Sequence, residues 1–311
     1  MDMIFHADDY GITADQSQII LDCARHGLLN STSVLTTSPA FGECADLLDG
    51  RPEDMRIGLH VNLVEGPCAA DPADVPLLVD ERGMFCQGFG GLLKLSQGPR
   101  RAEFVRQVKV EVAAQAGRFV ERFPQTCDAF RVDGHQHTQL IPAVFDAIMQ
   151  VVDEAGLRLE YFRVPVEPLS AFMGSDVRST IRPINMVKKV TLSSLWLMDR
   201  ARFADYEDKS ALFCGVLFSG SMDQERVRKV FPAYVQRAEK RGMDLEMLFH
   251  PGGLPSAEAC LDPTGEGFVD FYLSEGRRIE REALSGLKLE GAGGGARLVW
   301  EGAGVERGAN A

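Results

Sequence analysis

The stretch IFHADDYGIT, residues 4–13, joins an apolar run to two adjacent carboxylates, Asp8 and Asp9, and then to an aromatic residue and a glycine. The apolar run predicts a buried strand, and the segment 14–27 after it predicts a helix that ends at a glycine. Two neighbouring negative charges at the end of a buried strand are costly without positive charge close by. The stretch therefore predicts a βα unit whose strand end needs a compensating cation.

Beyond this stretch, short apolar strand patterns alternate with longer helix patterns. Further strands are predicted in TSVLTTS (32–38), RIGLHVNL (56–63), DAFRVDGH (128–135), YFRVPV (161–166), ALFCGVLF (211–218) and DLEMLFHPGG (244–253). About seven βα units of this kind imply a mostly parallel sheet with helices outside it. They favour a closed or nearly closed α/β barrel, and a doubly wound open sheet is the alternative.

Two segments interrupt the alternation, and we expect both to be excursions from a single domain that covers residues 1–285. Residues 64–99 are rich in Gly and Pro and are predicted to form a long loop, and residues 167–210 contain one predicted helix. The segment 286–311 is rich in glycine with little patterned apolar content, which predicts a disordered tail.

Composition and charge exclude several classes of function. The 311 residues carry a formal net charge of −12, which disfavours nonspecific binding to nucleic acid or to an anionic membrane. No apolar run is long enough for a transmembrane helix, so no membrane insertion is expected, and no secretory signal is recognisable. The seven cysteines are scattered, which indicates free thiols in a reducing compartment. We expect a cytoplasmic protein.

Polar side chains recur where the predicted strands end. After Asp8 and Asp9 these are His60, Asp133, His135, His137, Arg163 and His250. Each has an ordinary explanation alone: a strand histidine is usually structural, HPG indicates a turn, Asp8 and Asp9 could cap the next helix, and Arg163 could pair with a buried aspartate. These explanations do not account for their shared position, which is where a βα barrel builds its active site.

The residue types at these strand ends suit metal-assisted hydrolysis. Two imidazoles and one carboxylate form a facial site for a divalent cation, which would supply the missing positive charge. A second carboxylate can act as a general base on water, and a further histidine can protonate a leaving group. Asp8, Asp9, His60, His135 and His250 suffice for this chemistry. Arg163 is placed either to orient the base or to contact the substrate.

Five short motifs, in order, resemble those of the YdjC/ChbG-like carbohydrate deacetylases (ChbG/HpnK type). They are ADDYG at 7–11, where that family has ADDFG; GLH at 58–60; DGHQHTQ at 133–139, where it has DSHxHxH; RVP at 163–165; and HPG at 250–252. The resemblance extends from about residue 3 to residue 284. It implies a distorted (β/α) barrel related to polysaccharide deacetylases.

The resemblance also implies roles for individual residues. The metal ligands would be Asp9, His60 and His135, with Asp8 as general base and His250 as general acid. His137 would line the site without being a ligand. The metal would be Mg or Zn, with Mn or Co also compatible. The reaction would release acetate from a small N-acetylated sugar or oligosaccharide.

This sequence departs from the family pattern at Gly134, Gln139 and Tyr10, where the family has serine, histidine and phenylalanine. The first two would alter the substrate side of the pocket, and the Tyr10 hydroxyl needs a partner if it is buried. Alternative functions are a metal-dependent esterase or amidase on a glycolipid or antibiotic sugar intermediate, and a non-catalytic sugar-binding homologue. The oligomeric state stays open, with a homodimer as one expectation.

Overall fold

A seven-stranded parallel sheet forms the centre of the protein. The structure, a computed structural model, describes residues 1–172, 175–198 and 200–301. The strands are β1 (Met3–Tyr10), β2 (Ser31–Val34), β3 (Arg56–Val61), β4 (Phe130–Gly134), β5 (Leu159–Phe162), β6 (Ala211–Cys214) and β7 (Asp244–Phe249). Their order in the sheet is β5-β4-β3-β2-β1-β7-β6.

Helices surround this sheet, and their apolar faces complete one large buried core. In the described residues they are α1 (Ala14–His26), α2 (Phe41–Leu47), α3 (Phe89–Gln97), α4 (Arg101–Arg122), α5 (Pro142–Glu154), α6 (Pro183–Met198), α7 (Arg200–Phe203), α8 (Gln224–Arg241), α9 (Glu266–Tyr272) and α10 (Glu275–Gly286). None of the helices in this part of the chain combines the length and the apolar character needed to span a bilayer.

The strand order is that of a barrel opened at one seam. On one side of β1 the sheet continues through β2, β3 and β4 to β5, and on the other side it continues through β7 to β6. The two edge strands are therefore β5 and β6, and the seam lies between them. Side chains span this seam: Tyr161 of β5 donates to Glu246 of β7, and the Glu167 carboxylate accepts the backbone N–H groups of Gly215 and Leu217, each at 2.6 Å. The predicted distorted barrel is confirmed as a curled half-barrel.

The Glu167 carboxyl group at this seam makes stability depend on pH. Burial raises its pKa from the usual 4.5 to about 7, although two backbone donors favour the charged form. The folded state therefore binds this proton more tightly than the unfolded state, and the free energy of unfolding should fall by roughly 3 kcal/mol as pH rises from below 4.5 to above 7. Glu167→Gln removes this titration. Urea denaturation of the wild type and the variant at pH 5 and pH 8 gives the free energy of unfolding of each. If the wild type and the variant differ in this free energy by the same amount at both pH values, the prediction is contradicted.

The central strand β1 is irregular where the two aspartates lie. Its pairing with β2 shifts register between Ala7 and Tyr10, and Asp9 has a φ of 67°, in the left-handed region. Successive side chains of a regular strand point to opposite faces, so this irregularity lets Asp8 and Asp9 both reach the carboxyl end of the sheet. The Tyr10 hydroxyl, as required for a buried group, donates to the Cys44 carbonyl at 2.8 Å.

Two predictions about the irregular segments are wrong in part. Residues 64–99 are not all loop, because they include α3, whose Leu92 is buried in the core. The predicted disordered tail contains an antiparallel pair, β8 (Leu287–Glu290) and β9 (Arg297–Trp300), whose residues Leu287 and Leu298 join the core. The glycines between these strands form their turn, with positive φ at Gly291 and Gly293. Residues 302–311 lie outside the described residues.

Candidate active site at the carboxyl ends of the strands

Asp9, His60 and His135 come together at the end of β1, at the end of β3 and just after β4. Asp9 Oδ1 lies 3.0 Å from His135 Nδ1 and 3.5 Å from His60 Nε2, and the two imidazole nitrogens are 3.3 Å apart. Ligand atoms about 2.1 Å from one metal ion lie about 3.0 Å apart in octahedral and about 3.4 Å apart in tetrahedral geometry. The three predicted ligands therefore present a triangle of donor atoms that fits a divalent ion.

The surroundings of the two histidines also suit a metal ion. His60 Nδ1 lies 2.5 Å from Asp133 Oδ1, and a carboxylate in this position orients an imidazole for metal binding through its other nitrogen. Burial would lower the pKa of His60, but Asp8 and Asp133 outweigh it and raise that pKa to about 10. The contacts of His135 with Asp9 and Glu65 likewise outweigh burial and raise its pKa to about 9. The site thus favours positive charge at this point.

A second cluster, His6, Asp8 and Asp133, has ligand types similar to the first. Its two carboxylates are already paired with the guanidinium group of Arg163. Arg163 Nη1 lies 2.8 Å from Asp8 Oδ1, and its Nη2 lies 2.9 Å from Asp133 Oδ2. A divalent ion here would lie beside a buried guanidinium group, and like charges at that distance repel strongly. The first cluster is therefore the better candidate for a metal site.

Arg163 holds the predicted general base in place. Its Nη1 contacts both oxygens of Asp8, at 2.8 and 3.0 Å, and its Nε and Nη2 contact Glu246 Oε1 at 3.0 and 2.7 Å. The side chain of Arg163 is fully buried, so of the two roles left open by the sequence the structure supports orientation of Asp8. Burial would raise the pKa of Asp8, but Arg163 and then His60 outweigh it and hold that pKa well below its usual range.

Helix α10 supplies two further groups that the sequence analysis did not identify. Arg277 Nη2 lies 2.9 Å from Asp9 Oδ2, so each of the adjacent aspartates has its own guanidinium partner. Glu280, one turn later, accepts the backbone N–H of His250 at 2.6 Å. Both side chains are almost fully buried, which is rare for charged residues unless they are paired. The one signal in the sequence is their spacing of three residues, which places them on the same face of a helix.

His250 lies between Asp8 and Glu280. Its Nε2 lies 4.0 Å from Asp8 Oδ2, and its Nδ1 lies 3.5 Å from Glu280 Oε2. The ring packs edge-on against Phe271, with centroids 5.2 Å apart. Its side chain is 12% exposed, more than that of Asp8, so His250 is accessible to a molecule that enters the site.

Buried negative charge exceeds buried positive charge around the site. Six carboxylates (Asp8, Asp9, Glu65, Asp133, Glu246 and Glu280) meet two guanidinium groups (Arg163 and Arg277). The Tyr272 hydroxyl donates to Glu65 Oε1, and His135 Nε2 lies 3.4 Å from the same oxygen. The arginines therefore offset only part of the free-energy cost of burying these carboxylates, and a divalent cation would offset more of it.

His137 lies outside the triangle of Asp9, His60 and His135. Burial and then the charge of Arg163 lower its pKa to about 3, so its imidazole is neutral near pH 7. Its ring lies edge-on to Phe213 at 5.7 Å, and its Nδ1 has no hydrogen-bond partner among the described residues. A neutral imidazole with a free nitrogen is suited to hydrogen bonding with a polar substrate. Phe268, whose ring stacks on that of His135 with the centroids 5.5 Å apart, is a neighbour of the site that the sequence did not reveal.

Two of the three departures from the family pattern, Gly134 and Gln139, are neighbours in the structure. A Cβ atom at Gly134 would lie 2.7 Å from Gln139 Oε1 and 3.1 Å from its backbone nitrogen. The Gln139 side chain is fully buried and donates to the Arg163 carbonyl at 3.2 Å. The glutamine therefore occupies the space that a side chain at residue 134 would need.

Gly134→Ser should therefore destabilise the protein by roughly 1–3 kcal/mol, as expected for overpacking. Combining it with Gln139→Ala should cost less than the sum of the two single changes, by about 0.5 kcal/mol or more, because the shorter side chain makes room for the serine. Urea denaturation of the wild type, both single variants and the double variant gives this coupling. Strict additivity would show that the two positions do not share this space.

Comparisons with known proteins agree with this architecture. The model of the YdjC-like protein family matches residues 2–290. A carbohydrate deacetylase of Danio rerio is 31% identical over 298 residues, covering 91% of each chain, and a chitooligosaccharide deacetylase of Escherichia fergusonii is 26% identical over 235 residues, covering 75% of this chain and 82% of that one. A solved structure from Enterococcus faecalis V583, described as a cellobiose-phosphate cleavage protein, has a TM-score of 0.62 at 18% identity, covering 91% of this chain and 90% of its own, and so shares the fold. The chain belongs to the YdjC-like family.

Proposed function

We propose that the protein is a metal-dependent carbohydrate deacetylase that removes an N-acetyl group from a small amino sugar or oligosaccharide and releases acetate. The observation that carries the proposal is the triangle of Asp9, His60 and His135 beside an aspartate, Asp8, that is held by a buried arginine. The names of the similar proteins from Danio rerio and Escherichia fergusonii support the substrate class. Mg or Zn suits the donor set, and Mn or Co is compatible with it.

The residues of the site divide the reaction between them. Asp9, His60 and His135 would hold a divalent ion, which would supply Lewis-acid chemistry at the amide carbonyl and at the attacking water. Asp8, kept ionised and oriented by Arg163, accepts the proton of that water. His250, on the more exposed side of Asp8, donates a proton to the departing nitrogen, so that water and the amide become acetate and a free amine. Neutral His137 and Phe268 lie beside these residues, where they could contact the sugar.

The test is acetate release. Protein stripped of metal is supplied with Mg, Mn, Co or Zn in turn and offered N-acetylated sugars from N-acetylglucosamine to chito-oligomers. Metal-dependent acetate release supports the proposal. If protein shown to bind a metal ion releases no acetate from this panel but hydrolyses acetyl esters, the esterase alternative replaces the deacetylase proposal.

We also propose a cytoplasmic location. All seven cysteines are free in the structure, which is the state expected in a reducing compartment. Alkylation of intact cells with a membrane-permeant and a membrane-impermeant maleimide would test this. Labelling of the exposed Cys86 by the impermeant reagent would contradict it.

A further inference from the structure

Helix α6 exposes an apolar stripe. The described part of the chain has nine large hydrophobic side chains that are strongly exposed, and five of them lie on this helix. They are Ile184 (54% exposed), Val187 (60%), Val190 (54%), Leu197 (65%) and Met198 (71%). At about 100° per residue they span a stripe roughly 140° wide, which is the width that usually faces a protein core. Clustered exposure of this kind marks an interaction surface.

The rest of the α6 surface packs against the protein. Leu192 and Leu195 are buried, and the Asn185 side chain donates to the carbonyls of Leu217 and Ser219 at 3.1 and 3.2 Å. The helix also contacts the segment 135–140, which carries His135 and His137. The apolar stripe is therefore displayed by an anchored helix, on the side of the sheet where the candidate active site lies.

The charge around this stripe identifies what covers it. Residues 177–198 contain four cationic side chains (Arg178, Arg182, Lys188 and Lys189) and no aspartate or glutamate, in a chain with 45 acidic residues. Arg182 and Lys188 are exposed. A second copy of the chain whose two-fold axis passes through this stripe is disfavoured, because it would bring the cationic surface against itself. An exposed apolar stripe bordered by Lys and Arg is the pattern of helices that lie in the headgroup region of an anionic membrane.

We propose that α6 binds the surface of an anionic lipid bilayer, with Ile184, Val187, Val190, Leu197 and Met198 inserted among the headgroups. This binding is peripheral and does not require a spanning helix. The net charge of −12 does not prevent it, because charges more than about 8–10 Å from the lipid surface are largely screened at physiological salt. The inference does not depend on the proposed deacetylase activity.

The test is sedimentation of the full chain with vesicles. Vesicles of equal parts phosphatidylglycerol and phosphatidylcholine should retain the protein, phosphatidylcholine vesicles should retain much less, and added salt should release it. Replacing Val187 and Leu197 by serine should weaken binding to the anionic vesicles by roughly tenfold or more. Arg182→Gln with Lys188→Gln should weaken it to a similar extent. Leu289→Ser, a matched change of an exposed leucine on β8, should leave binding unchanged. Circular dichroism and thermal midpoints check that each variant is folded.

Three results would overturn the proposal. The first is no retention of the wild type on anionic vesicles. The second is equal retention of the wild type and of the variant with serine at residues 187 and 197. The third is a dimer, measured by light scattering, that this serine variant dissociates, because a second copy would then cover the stripe.

Discussion

Asp8→Asn should lower the turnover number for N-acetyl hydrolysis by roughly 10²–10⁴-fold, the usual contribution of general base catalysis. Asparagine keeps the shape of the side chain but cannot accept the proton of the attacking water. The metal content should stay close to that of the wild type, because Asp8 is not part of the triangle formed by Asp9, His60 and His135. The measurements are acetate release under saturating substrate and metal content after dialysis.

A matched control for this variant is Glu246→Gln. Glu246 also contacts Arg163, at 2.7 Å, so the substitution removes one negative charge from the same guanidinium group. Glu246 is fully buried within β7, away from the strand end, and Arg163 would still contact Asp8 and Asp133. We expect this variant to lose some stability and much less turnover than Asp8→Asn. If both variants lost turnover equally, the effect of Asp8 would come only from neutralising the charge of Arg163. A turnover number for Asp8→Asn near that of the wild type would refute the role of Asp8 as base.

The sequence could predict the strand ends of this protein because their pattern is local. Asp8 and Asp9 follow directly after an apolar run, which indicates the end of a strand. His60 and the HPG sequence that begins at His250 stand at or near the ends of two further apolar runs. Since parallel strands of a barrel all end at the same edge, position in the local pattern is enough to group such residues in space. The fold class and the grouping of the predicted site residues follow from that rule.

The partners that hold these residues could not be predicted in the same way. Arg277 lies 268 positions from Asp9 in the sequence, within an ordinary charged helix pattern, and only the packing of α10 buries it. Glu246 lies in the middle of an apolar strand, where a charge is costly unless it is paired, and its partner Arg163 is 83 positions away in the sequence. From the sequence, the compensating positive charge is expected from a metal ion, with Arg163 as a possible partner of the base; in the structure Arg163 and Arg277 both supply part of it.

The disordered tail was predicted from composition, and composition does not distinguish a flexible segment from a glycine turn. The glycines at 291 and 293 have positive φ, a conformation that glycine adopts at no steric cost, and they connect strands whose apolar residues are few but buried. The left-handed conformation of Asp9 was also not predictable. Aspartate tolerates it better than most residues, but only the register shift of β1 requires it.

His60→Gln should weaken binding of Zn or Co by roughly 100-fold or more, because it removes a predicted ligand nitrogen that faces Asp9 and His135. Glutamine fills a similar volume and can still donate to Asp133, so the buried network loses less than it would with alanine. The measurements are metal content after dialysis and competition with a chromophoric chelator, together with a thermal midpoint to confirm folding. Turnover should fall in parallel with metal occupancy.

His6→Gln is the decisive control, because His6 belongs to the second cluster of possible ligands. His6 is also buried, and its Nε2 lies 3.3 Å from Asp8 and 3.4 Å from Asp133, so the two histidines have similar carboxylate neighbours. They differ in that Arg163 contacts two carboxylates of the His6 cluster, whereas Arg277 contacts only Asp9 Oδ2, which is not one of the three donor atoms of the first cluster. If Arg163 excludes a metal ion there, His6→Gln keeps its metal while His60→Gln loses it. The opposite result would place the ion between His6, Asp8 and Asp133, where Asp8 would become a ligand and could no longer be the free base of the reaction.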